Sequence, residues 1–387
     1  MNKKILIATG IFPPDIGGPA TYSKTLLEKL PEREFEIKLV SYGESKDSTN
    51  KFFISRNQNI VFRYFKFFWK VFRLMPWADI VYVQGPVSEG LPSFVAAKLR
   101  GKKYFLKVVG DYAWEQFQSN QKSIKSKVPG FISPDEFQNL RFDFKTELRR
   151  KIQKMVAKGA LEIITPSEYL KNIVEKWGVK RDKIKVIYNS VKKIELDLEK
   201  SEAKRKLNLE GDIILSAGRL VPWKGFDILI DLMSELEKTA PNLKLLIAGE
   251  GPEKDNLQLE IKNYELEEKI ILLGKVEQGR LWEYLRAADM FVLNTGYEGL
   301  SHILIEAMMI GAPIITTDVG GNGELIKNNR SGILVEYNNR ESIKTAILKL
   351  LRERDYGDEL ASNAKKDLEK FSQEQMLDKI SEYFINK

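Results

Sequence analysis

Short unbroken runs of Val, Ile and Leu recur along this chain, and stretches with helical spacing separate them. In the first half the runs are KILIATG, EIKLVSY, ADIVYVQG, KKYFLKVVG, LEIITPS and IKVIYNSV. Between them lie TYSKTLLEKL, SEGLPSFVAAKLRG and EYLKNIVEKWG. A strand buried on both faces has no polar side to alternate with, so continuous apolar runs predict parallel strands covered by helices. The segment from Lys192 to Asn208, KKIELDLEKSEAKRKLN, breaks the pattern with polar and charged residues. The alternation then restarts with DIILSAGR, LKLLIAGEG, KIILLGKV, DMFVLNT, APIITTD and SGILVEY, and from about Arg340 the spacing is helical throughout.

This order predicts an α/β chain of two doubly wound, Rossmann-like domains. We place the first at residues 1–191, a linker at 192–208, the second at 209–372, and a C-terminal helix at 373–387 packing back on the first domain. Ligands of such sheets bind outside the carboxyl ends of the strands, here in a central cleft that the two domains face. The opening MNKKILIATGIFPPDIGG reads as a strand over Lys3 to Thr9 running into a loop, not as a leader, because PPD replaces a small-residue cleavage site.

Composition narrows the chemistry. A length of 387 residues suits two cores, and 43% hydrophobic with 30% charged residues describes a soluble globular chain. Without cysteine, disulfides and thiolate metal sites are excluded and a reducing, cytoplasmic compartment is the simple reading. A single histidine, His302, argues against a zinc centre. The net charge of +8 favours phosphates, an anionic membrane surface or nucleic acid as partners. Nucleic acid is set aside, because the charge is spread over both halves with no aromatic platform between the basic residues. No run of about 18 apolar residues is present to span a membrane.

Three glycine-rich loops follow strands. FPPDIGGPAT places Gly17 and Gly18 before a helix, where backbone amides and the helix dipole attract anions; a plain turn is the alternative. SAGRLVPWKGFD ends a strand at Gly218 and brings Arg219 and Lys224, cations suited to a diphosphate, up to Gly225. AGEGPE, from Gly249, reads first as a structural turn. The chain lacks GxGxxG after the first strand, GxxxxGK[ST] and Asp-x-Asp, which sets aside dinucleotide oxidoreductases, P-loop enzymes and a metal-held sugar diphosphate. Finally, DMFVLNT runs through TGYEGLS into HILIEAMMIG. Glu298 and Gly299 lie in the loop and the amides of Leu300, Ser301, His302 and Ile303 at the helix start, with Glu306 about two turns on. One glutamate can face a sugar, the other can accept both hydroxyls of a cis-diol, and the amides between can hold phosphate.

Taken together, the Glu298/Glu306 pair in YEGLSHILIEAM, APIITTDVGGNGELI, SGILV, AGRLVPWKGFDILI, IAGEGPE, FPPDIGGPATYS, TPSEYL and VIYNSV resemble, in order, the motifs of family 4 retaining glycosyltransferases with the GT-B fold. The resemblance implies a nucleotide-diphosphate sugar, UDP- or GDP-linked, as co-substrate, with no metal and no other cofactor. Arg219 and Lys224 would take the diphosphate, Glu306 the ribose and Glu298 the donor sugar, helped by amides around Ser301 to Ile303. Gly18 would lend an amide from the first domain, and Lys275 and Val276 in GKVEQ would lie beside the base. Glu298, Arg219, Lys224 and Asp111 are the candidates for the chemistry. Asp111 stands in GDYAWE, where relatives carry a histidine; it either replaces that residue at a sugar hydroxyl or caps the next segment. His302 falls where relatives have a small residue and is expected to act through its amide. Two other functions share this pattern: a nucleotide-sugar hydrolase or epimerase, and a non-catalytic sugar-nucleotide-binding subunit.

The implied acceptor is a glycan or a lipid-linked glycan of the cell envelope. RYFKFFWKVFRL carries Phe65, Phe68, Trp69 and Phe72 on one helical stripe, with Lys66, Lys70 and Arg73 away from it. The stripe either packs on its own sheet or lies on an anionic bilayer; its position directly before a strand favours packing. A second basic segment, RFDFKTELRRKIQKM, lies in an insertion between Tyr112 and Arg150. Peripheral contact with the inner face of the plasma membrane follows if either basic surface meets lipid.

Overall fold

The computed structural model describes residues 2–15, 17–120 and 131–387. Ile16 of the first glycine-rich loop and residues 121–130 of the insertion lie outside the described residues. The chain divides into two compact units. One holds residues 2–120 with Pro134–Ser190 and Gln373–Lys387; the other holds Val191–Ser372, to which residues 131–133 attach.

The first unit carries strands β1 (Lys3–Thr9), β2 (Phe35–Tyr42), β3 (Lys51–Ile54), β4 (Ile80–Val83), β5 (Phe105–Lys107), β6 (Glu162–Thr165) and β7 (Ile184–Val186). They form one sheet in the order β3-β2-β1-β4-β5-β6-β7, every pair parallel. The apolar runs had indicated all of these except β3, whose four residues KFFI are too short to show a period. Its helices are α1 (Gly18–Lys29), α2 (Ile60–Leu74), α3 (Gly90–Arg100), α4 (Tyr112–Asn120), α5 (Pro134–Phe137), α6 (Phe144–Gly159) and α7 (Glu168–Lys176).

Alternate residues of each strand feed opposite layers, as a pleat requires. Ile5, Ile7, Ile37, Leu39, Ile80 and Tyr82 pack with Tyr22 and Leu26 of α1. Leu6, Ala8, Val40, Val81 and Val83 pack with Phe67 and Val71 of α2, Ala96 and Ala97 of α3, and Val156 of α6. The helix after β1 and the helix after β4 thus lie on opposite faces of neighbouring strands.

The second unit carries β8 (Asp212–Ala217), β9 (Leu243–Ala248), β10 (Ile270–Gly274), β11 (Met290–Leu293), β12 (Ile314–Thr317) and β13 (Ile333–Val335). Their order is β10-β9-β8-β11-β12-β13, again all parallel. Its helices are α8 (Lys200–Lys206), α9 (Phe226–Thr239), α10 (Lys254–Asn263), α11 (Gln278–Ala287), α12 (His302–Ile310), α13 (Asn322–Leu325), α14 (Arg340–Arg352) and α15 (Arg354–Lys366). α8 occupies part of the charged segment read as linker. Glu199 and Glu202 close a capping box at its start, and Ala203 and Leu207 pack on Ala287 of α11. The last helix, α16 (Gln373–Ile385), returns to the first unit, where Met376, Leu377, Ile380 and Phe384 join the α1 layer and Arg33 pairs with Glu374 and Asp378.

Strand order reverses at β1/β4 in one sheet and at β8/β11 in the other. Open α/β sheets bind ligands at such switch points, where diverging loops leave a crevice at the strand ends.

The packing expected of the α2 stripe holds in part: Phe68 and Phe72 are half-buried and pack against the core of the first unit. Phe67 and Val71 are the residues it buries, while Phe62 (66% exposed), Phe65 (59%) and Trp69 (44%) point to solvent. The basic residues Arg63, Lys66, Lys70 and Arg73 gather on one side, but the apolar arc opposite is wider than the sheet can cover, so the stripe is split and its Phe65 and Trp69 remain outside.

Candidate functional site

The loops after β8 and β11 meet at the switch point of the second sheet. Gly225, at φ +51°, ends the first loop in a left-handed conformation, and a Cβ there would strike Asn294. Asn294 donates from Nδ2 to the Gly225 carbonyl (3.0 Å) and to Asn338 Oδ1 (2.9 Å), and accepts the Asn338 amide (3.0 Å). The Gly296 amide donates to the Trp223 carbonyl (2.7 Å), and Thr295 Oγ1 donates to the same oxygen (3.3 Å). These bonds fix the two loops side by side, although about 70 residues of chain separate them.

Their consequence is a direct ion pair between Lys224 Nζ and Glu298 Oε1. The side chains are 12% and 16% exposed, so the pair is shielded but open at one edge. Arg219 is exposed in the same loop, with no ion pair among the described residues. Behind Glu298, the loop after β12 supplies a floor. Gly321 donates its amide to the Glu298 carbonyl (3.0 Å), and Gly320, at φ +58°, presses so close that a Cβ would overlap that oxygen.

Gly249 has a packing duty. A Cβ on it would run into the Gly218 carbonyl, and the Gly218 amide donates to Ala248 (3.0 Å). Gly249 therefore acts by setting the Gly218–Arg219 backbone, in keeping with the structural-turn reading of its loop.

Ser301 precedes the first turn of α12 and is buried, and its Oγ has no hydrogen-bond partner among the described residues. An orphan hydroxyl at a helix start is suited to an anion. Gly299 and Leu300 are buried ahead of it, and His302 and Ile303 are half-buried.

Glu306, 7% exposed, lies one helical face further on. Gln278 Nε2 donates to its Oε1 (3.0 Å) and Trp282 Nε1 to its Oε2 (3.2 Å). Burial raises its pKa above the ordinary carboxylate value, and the two hydrogen bonds pull it partly back. Each oxygen keeps a free lone pair, so the carboxylate is aimed but not saturated. Gln278 and Trp282 escaped the sequence reading; only their spacing in QGRLWEYL, four positions apart on a helix, hints that they share a face. Gln278 closes the turn containing exposed Lys275 and half-buried Val276, so that turn is tied to Glu306. Among the described residues no group of three His, Asp or Glu side chains stands close enough to hold a metal ion.

Gly18 and Asp111 belong to the first unit. Gly18 opens α1 behind Gly17, whose carbonyl takes the Ala20 and Thr21 amides, so the Gly18 N–H is one of the orphan donors of the first turn. Asp111 is fully buried. Its Oδ1 accepts the Trp114 amide (3.1 Å) and Gln153 Nε2 (3.0 Å), and its Oδ2 accepts Gln138 Nε2 (2.8 Å). Of its two expected roles, capping the next helix is the one this geometry carries.

Comparison with known proteins matches the same regions. The family model described as "Glycosyl transferases group 1" matches residues 197–367, and that of "Glycosyltransferase Family 4" matches residues 16–193. An uncharacterized glycosyltransferase of Methanocaldococcus jannaschii is 33% identical over 220 residues, 54% of this chain and 56% of that protein. The N-acetylgalactosamine-N,N'-diacetylbacillosaminyl-diphospho-undecaprenol 4-alpha-N-acetylgalactosaminyltransferase of Campylobacter jejuni is 32% identical over 187 residues, 48% of each chain. The match thus spans about half the length of these two relatives. The structure of Anabaena HepE in complex with UDP shares the fold, with a TM-score of 0.77 and 17% identity over 99% of this chain and 100% of that one.

Proposed function

This chain belongs to the group 1 glycosyl transferases, and we propose that it moves a hexosyl group from a UDP- or GDP-linked sugar to a glycan or lipid-linked acceptor, with retention of anomeric configuration and without a metal. The observation that carries this reading is the Lys224–Glu298 pair at the switch point, with exposed Arg219 beside it and the orphan Ser301 hydroxyl at the start of α12.

The leaving group is a nucleoside diphosphate, so negative charge grows on its phosphate oxygen as the bond to the anomeric carbon breaks. Preorganised cations and donors are the large term in stabilising such charge. Lys224 supplies a point charge, Arg219 a fork, and the first turn of α12 a set of amides. Glu298 already holds Lys224 and presents its other oxygen to a sugar hydroxyl, which makes it a positioner. The acceptor oxygen attacks from the face the leaving group departs, and its proton passes to the departing phosphate oxygen. Glu306, oriented by Gln278 and Trp282, receives the ribose hydroxyls, while Lys275 and Val276 border the base.

The named acceptor of the Campylobacter relative is an undecaprenol-linked glycan, which supports a lipid-linked acceptor here. So does the solvent face of α2. Phe62, Phe65 and Trp69 stand out beside Lys66 and Arg73, and the neighbouring α3 exposes Leu99. Such a face suits peripheral attachment to an anionic membrane, on the cytoplasmic side where nucleotide sugars are made. Among the described residues no helix is long and apolar enough to cross a membrane.

Thermal unfolding against UDP-, GDP- and ADP-sugars with EDTA present tests the donor reading. Binding to the folded state raises the midpoint. A shift with one nucleotide series in EDTA supports a metal-free donor site; no shift until a divalent metal is added refutes metal independence.

A further inference from the structure

The basic segment RFDFKTELRRKIQKM has no part in the donor site, yet its helix borders a concavity of its own. α6 buries Thr146, Arg150, Gln153, Val156 and Ala157. Lys151, Lys154 and Lys158 follow one another along its edge, three and four positions apart, a spacing that makes neighbours of side chains on a helix. The turn at 138–141 and this edge of α6 together line a cavity of about 530 Å³.

Arg150 fixes that turn to the helix. Its Nη1 donates to the Leu140 carbonyl (2.8 Å) and to Glu147 Oε1 (2.7 Å), and its Nη2 donates to the Gln138 carbonyl (2.9 Å). The guanidinium is buried and lies over the Phe137 ring (5.0 Å). Its buried Nε keeps a hydrogen without a partner among the described residues. Glu147 also accepts the Phe142 amide (3.1 Å), which ties down the far side of the same turn. The concavity is thus held open by hydrogen bonds and is a built feature of the first unit.

Its charge is one-sided. Arg141, Arg150, Lys151, Lys154 and Lys158 line it against a single carboxylate, Glu147, which Arg150 already occupies. Arg141 and the three lysines make no ion pair among the described residues. Burial lowers the pKa of Lys154, Arg150 and Lys158 add to the fall, and Asp111 and Glu147 oppose it. Lys158 is seated over Gly178, where a Cβ would come within 2.9 Å of Nζ. Like charges at helical spacing oppose folding, and an anion among them relieves the repulsion. A phosphate ester carries close to two negative charges at neutral pH and several acceptor oxygens, enough for the three ammoniums to share. Leu140 and Met155, both exposed, put apolar surface beside the cations.

We propose that the cavity between α6 and the 138–141 turn is an anion site of the first unit, which takes the phosphate group of an ester on Lys151, Lys154 and Lys158. It goes beyond the transferase reading and does not depend on it.

Phosphorus NMR titration of the full chain tests it, with UDP present to occupy the donor site. The probes are glycerol phosphate, dihexanoyl phosphatidic acid, which carries the same phosphate on a soluble lipid, and dihexanoyl phosphatidylcholine as the zwitterionic counterpart. The parent protein is expected to bind phosphatidic acid. Lys154→Gln with Lys158→Gln should weaken that binding by roughly tenfold or more, without lowering the unfolding midpoint, because it relieves repulsion. Lys151→Gln, at an exposed position, should give a smaller loss in the same direction, which guards against a misfolded double variant. Lys145→Gln with Arg149→Gln removes as much charge from α6 outside the cavity and should leave binding within about twofold of the parent. Glycerol phosphate bound as tightly as phosphatidic acid supports a site for the phosphate alone. Tighter binding of phosphatidic acid supports a lipid headgroup, with the chains on Leu140 and Met155. A parent protein that binds neither phosphate overturns the proposal. So do equal losses in the two double variants, no loss in Lys154→Gln with Lys158→Gln, or phosphatidylcholine bound as tightly as phosphatidic acid.

Discussion

Replacing Glu306 with alanine should abolish discrimination at the ribose. In the structure each carboxylate oxygen accepts one bond, from Gln278 or Trp282, and keeps one lone pair for a ribose hydroxyl. Hydrogen bonds to a charged group contribute about 1.5–3 kcal/mol each. Taking the low end for two bonds gives about 3 kcal/mol, on the order of a hundredfold in Kd. Removing only the 2′-hydroxyl of UDP should cost about half of that, roughly tenfold. Glu306→Ala should therefore bind UDP about as weakly as 2′-deoxy-UDP, with no preference between them. The cost to the fold is small: exposed Gln278 regains water and half-buried Trp282 loses its partner, about 1 kcal/mol in all. A pH series adds a second signature. Burial raises the Glu306 pKa, so the charged form is lost at a higher pH than for an ordinary carboxylate, and UDP affinity should fall as pH is lowered towards that value. The Ala variant subtracts the nucleotide's own titration. Isothermal titration calorimetry with both nucleotides measures all of this, using the guanine pair if GDP gives the larger shift. An Ala variant that still prefers UDP over 2′-deoxy-UDP by the parent's factor would falsify the ribose assignment.

Four further outcomes follow from particular contacts. Lys224→Met should destabilise by about 2–3 kcal/mol, because it leaves a shielded Glu298 unpaired, and adding Glu298→Gln should recover most of that; urea unfolding of the three variants checks the cycle, and additive losses would deny the pair. Gly320→Ala, at φ +58° against the Glu298 carbonyl, should cost roughly 1–3 kcal/mol and lower transfer, read from the unfolding midpoint and donor turnover. Lys107 is fully buried, and burial lowers its pKa to about 7. The unfolded chain holds that proton up to about pH 10, so it binds more protons than the folded state between about pH 7 and 10, and stability should rise with pH across this window. Lys107→Met should flatten that rise in denaturation curves at pH 7 and 9. Phe65→Glu with Trp69→Glu should abolish binding to vesicles rich in anionic lipid and leave the unfolding midpoint unchanged, since both side chains face solvent; retained vesicle binding would remove α2 from the membrane reading.

What the sequence determined by itself was local. Unbroken apolar runs marked twelve of the thirteen strands among the described residues, because a strand covered on both faces writes its burial directly into consecutive residues. Glycines before helix starts marked the loops that carry Arg219, Lys224 and Glu298, and the spacing of Glu298 and Glu306 placed one in a loop and the other on a helix. Tertiary structure decided everything that depends on which elements become neighbours. Lys224 meets Glu298 because β8 and β11 pair and Asn294 ties their loops together. Gln278 and Trp282 aim Glu306 because α11 packs beside α12. Asp111 resolved into a cap only once Gln138 and Gln153 closed around it. The apolar arc of α2 is wider than the sheet can cover, and the sheet took Phe67 and Val71 and left Phe65 and Trp69 outside. The burial of Glu89 between Gly10 and Gly85 likewise arises from strand order, which no stretch of residues around it encodes. Local propensity and period act over a few residues, whereas desolvation and pairing of charge depend on groups brought together from across the chain.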